Sequence, residues 1–207
     1  MNFRRLSLLL ALAIGVFTVS ARAQLGVYGT VNVQQVSVNG KNVAPVGGGG
    51  GVYYDFKKIG RIKLGADVRA GTASSKQGNF VVGHDANGNP VSFNSVGTRV
   101  HTALGGIRAS TTLPVTWIKP YVQGSFGWGG STFDPETVVD INNVEAAVKK
   151  SQSIKGGLAY EGFVGVDLKV APIMDVRLAE FGIGAIHAQD KNRELKSISF
   201  GIVFHLP

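Results

Sequence analysis

The chain has 207 residues, no cysteine, 29 glycines, 7 prolines and a formal charge of +8. Without cysteine it is neither a disulfide scaffold nor a thiol enzyme, and it holds no cysteine metal site. Its basic residues are dispersed rather than gathered into a stripe, which excludes the footprint expected of a nucleic-acid partner.

In chain order, Arg4 and Arg5 precede an apolar run at 6–19, and Ala21-Arg22-Ala23 supplies a small-x-small cleavage pattern. This is the layout of a secretory signal peptide. Cleavage after Ala23 leaves residues 24–207 as one domain and, with Arg4, Arg5 and Arg22 removed, a charge of 8 − 3 = +5. The run is short for a membrane helix, which needs about 20 residues. No later stretch is longer, so a membrane-inserted chain would cross as strands.

Eight alternating runs follow. High glycine with β-branched residues and period-two alternation mark strands with one apolar face. Run 25–36 sets Leu25, Val27, Gly29, Val31 and Val33 against Tyr28, Thr30, Asn32 and Gln34. Run 52–57 sets Val52, Tyr54 and Phe56 against Tyr53, Asp55 and Lys57. The clearest, 62–70, sets Ile62, Leu64, Ala66, Val68 and Ala70 against Lys63, Gly65, Asp67 and Arg69. Run 100–110 has no clear phase, because His101 and Arg108 fall on opposite faces. Run 117–128 opposes Ile118, Val122, Phe126 and Trp128 to Lys119, Tyr121, Gln123 and Ser125. Run 162–170 opposes Val164, Val166, Leu168 and Val170 to Asp167 and Lys169. Run 174–186 opposes Met174, Val176 and Leu178 to Asp175 and Arg177, then blurs near Glu180. Run 197–206 keeps Ile198, Phe200, Ile202, Phe204 and Leu206 on one side.

The links 37–50, 71–98, 130–155 and 187–196 read as long, polar loops, whereas 58–61, 111–116 and 171–173 read as short turns. Strict alternation of long and short links describes an up-and-down meander, the pattern of barrels with short periplasmic turns and long extracellular loops. Residues 47–51 read as a flexible external loop, and 138–150 as a short helix or extra hairpin. Aromatics near run ends (Tyr28, Tyr53, Tyr54, Trp117, Trp128, Phe163 and Phe204) supply candidates for an interfacial girdle.

Catalytic and metal constellations are not expected. His84, His101, His187 and His205 have no partner at ligand spacing. Asp85, Asn87 and Asn89 match the start of a calcium loop, but Pro90 stands where glycine is needed and Val96 where a bidentate Glu is needed. Asn87-Gly88 between Phe80-Val81-Val82 and Val91-Ser92-Phe93 reads instead as a hairpin turn.

The segments Lys63-Leu64-Gly65-Ala66-Asp67-Val68-Arg69, Ile118-Lys119-Pro120-Tyr121-Val122-Gln123-Gly124 and Phe200-Gly201-Ile202-Val203-Phe204 resemble the porin-like outer-membrane β-barrel domain family. That family contains eight-stranded barrels of the OmpA/OmpX type. Such barrels usually end in an aromatic, whereas this sequence reads Phe204-His205-Leu206-Pro207. The resemblance implies a location in the cell outer membrane, with outer-membrane lipids and the barrel assembly machinery as partners.

The expected fold is therefore an all-β, eight-stranded antiparallel up-and-down transmembrane β-barrel. Asp55, Lys57, Lys63, Asp67, Arg69, Asp167, Lys169 and Arg177 are expected to line its lumen and pair there. Eight strands leave an interior about wide enough for side chains to fill, so an open diffusion pore is not expected. Nor is an enzyme or a cofactor. The expected role is structural or surface-interacting, with loops 71–98 and 130–155 meeting an extracellular ligand. Alternatives are a narrow porin, or a lipid-modifying rim enzyme built on His101 and Thr102 with Ser110 nearby. A soluble lipocalin-like binder would need an apolar cavity where this chain carries charge.

Overall fold

A computed structural model describes residues 24–75, 80–84, 90–93, 97–114, 117–133 and 153–206. The expected leader at 1–23, the segment 138–150 and the expected turn at Asn87-Gly88 lie outside the described residues.

The strands are β1 (Gln24–Val38), β2 (Lys41–Val43), β3 (Val46–Ile59), β4 (Ile62–Ser75), β5 (Phe80–His84), β6 (Pro90–Phe93), β7 (Thr98–Thr111), β8 (Ile118–Ser131), β9 (Lys155–Ala171), β10 (Met174–Ala188) and β11 (Lys191–Leu206). Eight of them pair antiparallel in the circular order β1-β3-β4-β7-β8-β9-β10-β11, closed by β11 on β1 from Leu25↔Leu206 to Ser37↔Glu194. Closure leaves no edge in this eight-stranded ring, which is what a bilayer demands of a spanning sheet. The short β2 continues β1 back upon itself, and β5 and β6 form a separate hairpin inside link 71–98.

The ladder fixes the barrel's shape. Val27 is followed, strand by strand, by Val52, Val68, Gly105, Phe126, Tyr160, Ala185 and Glu194, and the path returns to β1 at Ser37, ten residues further on. Eight strands with that stagger tilt by roughly 40° from the axis. The outward apolar positions then form a belt about 25 Å tall, the thickness of an outer-membrane hydrocarbon layer. Phe56, Ile62, Trp117, Phe204 and Leu206 bound it at the short-turn end, and Val33, Trp128 and Tyr160 at the other; all are exposed. The Trp128 ring packs against two glycines: a Cβ on Gly156 would fall 2.6 Å from it and one on Gly130 2.9 Å. Tyr28, Tyr53 and Phe163 are not in the girdle but buried inside the barrel.

Above the belt the alternation inverts. On β1, Val27, Val31 and Val33 face out, but Val36 and Val38 are buried. On β11, Phe200 and Ile202 face out, but Leu195 is buried, while Glu194 and Lys196 are exposed. Strands leaving lipid for water must exchange polarity between their faces, and these do. Val36, Val38, Val43, Val100, Leu104, Phe133, Ile186 and Leu195 thereby join one apolar cluster inside the upper barrel.

This inversion corrects two links. Residues 37–50 are not a long loop: β1 turns at Asn39 and Gly40, whose φ angles of 49° and 76° are those of a primed two-residue hairpin turn. Residues 187–196 are likewise strand, interrupted only by Gln189 and Asp190 at φ 53° and 56°. Residues 47–51 are strand as well, paired with residues 28–32 of β1 and 69–73 of β4. A glycine run carries no alternation, so the ladder on both sides decides its conformation. Run 100–110 is in phase with Arg108 inward and His101 outward, and the blur near Glu180 is a bulge between Arg177 and Glu180.

Candidate functional site

The inward faces stack three layers within the barrel. Short links put both ends of the lower layer at the turn side: Lys119 Nζ meets Asp175 Oδ2 at 2.7 Å, and His205 Nε2 lies 2.6 Å from the same oxygen. Lys63 Nζ stands 3.6 Å from Asp55 Oδ2.

The middle layer is an ionic plug. Asp167 accepts from Arg108 Nη2 at 2.6 Å and from Arg177 Nε at 2.9 Å. Arg69 reaches across the lumen to Glu180, with Nη1 to Oε1 at 3.0 Å, and bonds Asp67 through Nε at 3.1 Å. Asp67 also accepts from the Tyr28 hydroxyl at 2.9 Å and from Gln123 Nε2 at 2.7 Å, while the Tyr121 hydroxyl donates to Glu180 at 2.6 Å. The guanidinium of Arg108 sits over the Tyr53 and Tyr121 rings, 4.3 and 3.7 Å from their centroids. Those faces serve its Nε and Nη1, which have no hydrogen-bond partner. Three guanidinium groups thus balance three carboxylates, as burial of charge requires.

The upper layer is the apolar cluster, with Arg193 buried among it and donating to the carbonyls of Ala188 and Phe133. Between plug and cluster lies a small polar chamber lined by Thr30, Asn32, Thr102, Glu161, Ser197 and Ser199.

Of the residues read as lumenal, the structure brings together Asp67, Arg69, Asp167 and Arg177 in the plug and Asp55 with Lys63 below it. Lys57 and Lys169 are corrections: both are exposed. A bulge between Asp55 and Lys57 breaks the alternation, and Lys169 lies at the lower end of β9, where the register with β10 shifts. Sequence reading did not name Arg108, Glu180, Tyr28, Tyr121 or Glu161 as site residues. Each sits at an inward position, but Arg108 lay in the run without a phase and Glu180 beside the bulge. His101 and Thr102 point to opposite faces, and Ser110 lies nine residues along the same strand, about 30 Å away. These three residues do not converge.

The plug bridges the lumen, from Arg69 to Glu180 and from Arg108 to Asp167. In a planar lipid bilayer the refolded protein is expected to show no steady ion conductance; stable channels of defined size would contradict the packing described.

No family model matches the chain, and no curated protein matches its sequence. Among solved structures it is similar to Ail, the attachment invasion locus protein of Yersinia pestis, in complex with the heparin analogue sucrose octasulfate. Identity is 12%, the TM-score 0.52, and the match covers 89% of this chain and 99% of Ail. It is also similar to Neisserial surface protein A (NspA), at 12% identity and a TM-score of 0.54, over 87% of this chain and 96% of that one. At this identity the likeness is one of fold. A closed eight-stranded barrel with a lipid-facing belt and a charged, packed interior is an outer-membrane β-barrel.

Proposed function

We propose that this chain is a closed outer-membrane barrel that works as a surface-interaction scaffold, through its loop-side end, and not as a diffusion pore. The observation that carries this reading is the filled lumen. Arg69 to Glu180 at 3.0 Å and Arg108 to Asp167 at 2.6 Å bridge the interior, so only the two ends and the lipid face remain to do work. The short-turn end has little chain to offer. The loop-side end has links 71–98 and 130–155, longer than closure requires, and such links commonly carry function. The first contains the β5–β6 hairpin, an element that barrel closure does not need. A role at the cell surface accords with the fold, which is shared by proteins named for attachment and for the surface.

Trimming each of these two links to a short turn tests the division between scaffold and working end. Heat-modifiable migration and membrane insertion should survive, because closure depends on the strands. Adhesion or partner capture by whole cells should be lost. Binding that survives both deletions would overturn the proposal. Loss of insertion would show that the links belong to the fold.

A further inference from the structure

We propose that the chamber around Glu161 is a binding site for one dehydrated monovalent cation of the sodium or potassium type. Glu161 projects inward from β9 and is only 3% exposed. Every other described carboxylate of the lumen has a cationic partner: Asp67 and Glu180 have Arg69, Asp167 has Arg108 and Arg177, Asp175 has Lys119, and Asp55 has Lys63. Among the described residues Glu161 has neither an ion pair nor a hydrogen bond. The nearest guanidinium, that of Arg69, is committed to Asp67, Gln123 and Glu180. Two further oxygens of the chamber, Asn32 Oδ1 and Ser197 Oγ, are buried without a partner.

A buried carboxylate without a counter-charge is strongly disfavoured. Here it shares a hollow with neutral carbonyl and hydroxyl oxygens, the donor set of a hard cation. One carboxylate among neutral oxygens balances a single positive charge. Calcium takes 6–8 oxygens, usually with several carboxylates, and no group of three His, Asp or Glu suited to a metal occurs among the described residues. The hollow is about 30 Å³, room for roughly an ion and a water. Glycines help to leave it open: Gly49 and Gly71 line the hollow without a side chain, and a Cβ on Gly71 would stand 3.6 Å from Thr102 Oγ1. The chamber lies between the apolar cluster and the ionic plug, with Leu104 and Phe163 among its lining on one side and Arg69 and Glu180 on the other.

The test uses the protein refolded in detergent micelles, in sodium chloride, potassium chloride or choline chloride at equal ionic strength. Thermal unfolding is followed by the heat-modifiable shift. The midpoint should lie about 2–4 °C higher in sodium or potassium than in choline, as expected for a ligand that binds only the folded state. In Glu161→Gln that gap should vanish. Equal midpoints for the unaltered protein in all three salts would overturn the proposal and assign the balancing charge to a proton. A gap that persists in Glu161→Gln would place the cation elsewhere. Should Glu161→Gln fail to refold, crystals of the unaltered protein soaked in thallium(I) decide: an anomalous peak beside Glu161 supports the site, and its absence overturns it.

Discussion

Replacing Asp167 by leucine should destabilise the refolded barrel by roughly 3–5 kcal/mol, the cost of removing one partner from a buried charge network. Asp167 is 1% exposed and accepts from two guanidinium groups, Arg108 and Arg177. Leucine leaves both cations in the lumen with one counter-charge fewer. Neither can escape to solvent, because Arg108 is stacked between Tyr53 and Tyr121. Urea titration in micelles, following tryptophan emission, measures the loss. Lys169→Leu on the same strand is the control. That side chain is exposed, so its removal should change stability by no more than about 0.5 kcal/mol. Equal effects of the two substitutions would refute the packed lumen. Asp67→Leu should also be costly, since Asp67 holds Arg69, Tyr28 and Gln123 together.

On the outer face, Val68→Arg should cost roughly 2–4 kcal/mol, the value for a cation on the lipid face of a barrel near the bilayer midplane. Val68 is 66% exposed on β4, midway up the belt. Thr72→Arg, four residues higher on the same face and beside His101 of β7, should cost only about 0–1 kcal/mol, because it reaches the interface. The depth dependence is the diagnostic. A barrel standing in water would accept arginine at either position without measurable loss. Folding into short-chain lipid vesicles, titrated with urea, separates the two cases.

How much of this was legible before the fold was known varies by element. Runs 62–70 and 197–206 kept strict alternation and emerge as β4 and β11, with the expected residues facing in. The β5–β6 hairpin follows from its flanking apolar triplets. The upper ends of β1 and β11 were unreadable as strands for a physical reason: the apolar face changes sides where the chain leaves lipid, and a rule that expects one apolar face stops there. Asn39-Gly40 carried a hairpin signal inside a stretch read as loop. Lys57 was misplaced because a bulge in a strand leaves no trace in period-two alternation.

The residues themselves determined that the chain is all-β, that its strands bear one apolar and one charged face, and where the tight turns at 58–61 and 171–173 fall. These are local properties, set by side-chain period and turn chemistry over a few positions. Which charges meet was decided only by the tertiary structure. Arg69 and Glu180 lie 111 positions apart in sequence, and they face each other because eight strands close with a stagger of ten residues. That stagger is a property of the whole ring of backbone hydrogen bonds, and no single segment encodes it. The same closure gathers Asn32, Glu161 and Ser197 around one hollow, from strands that alternation alone could orient but not bring together.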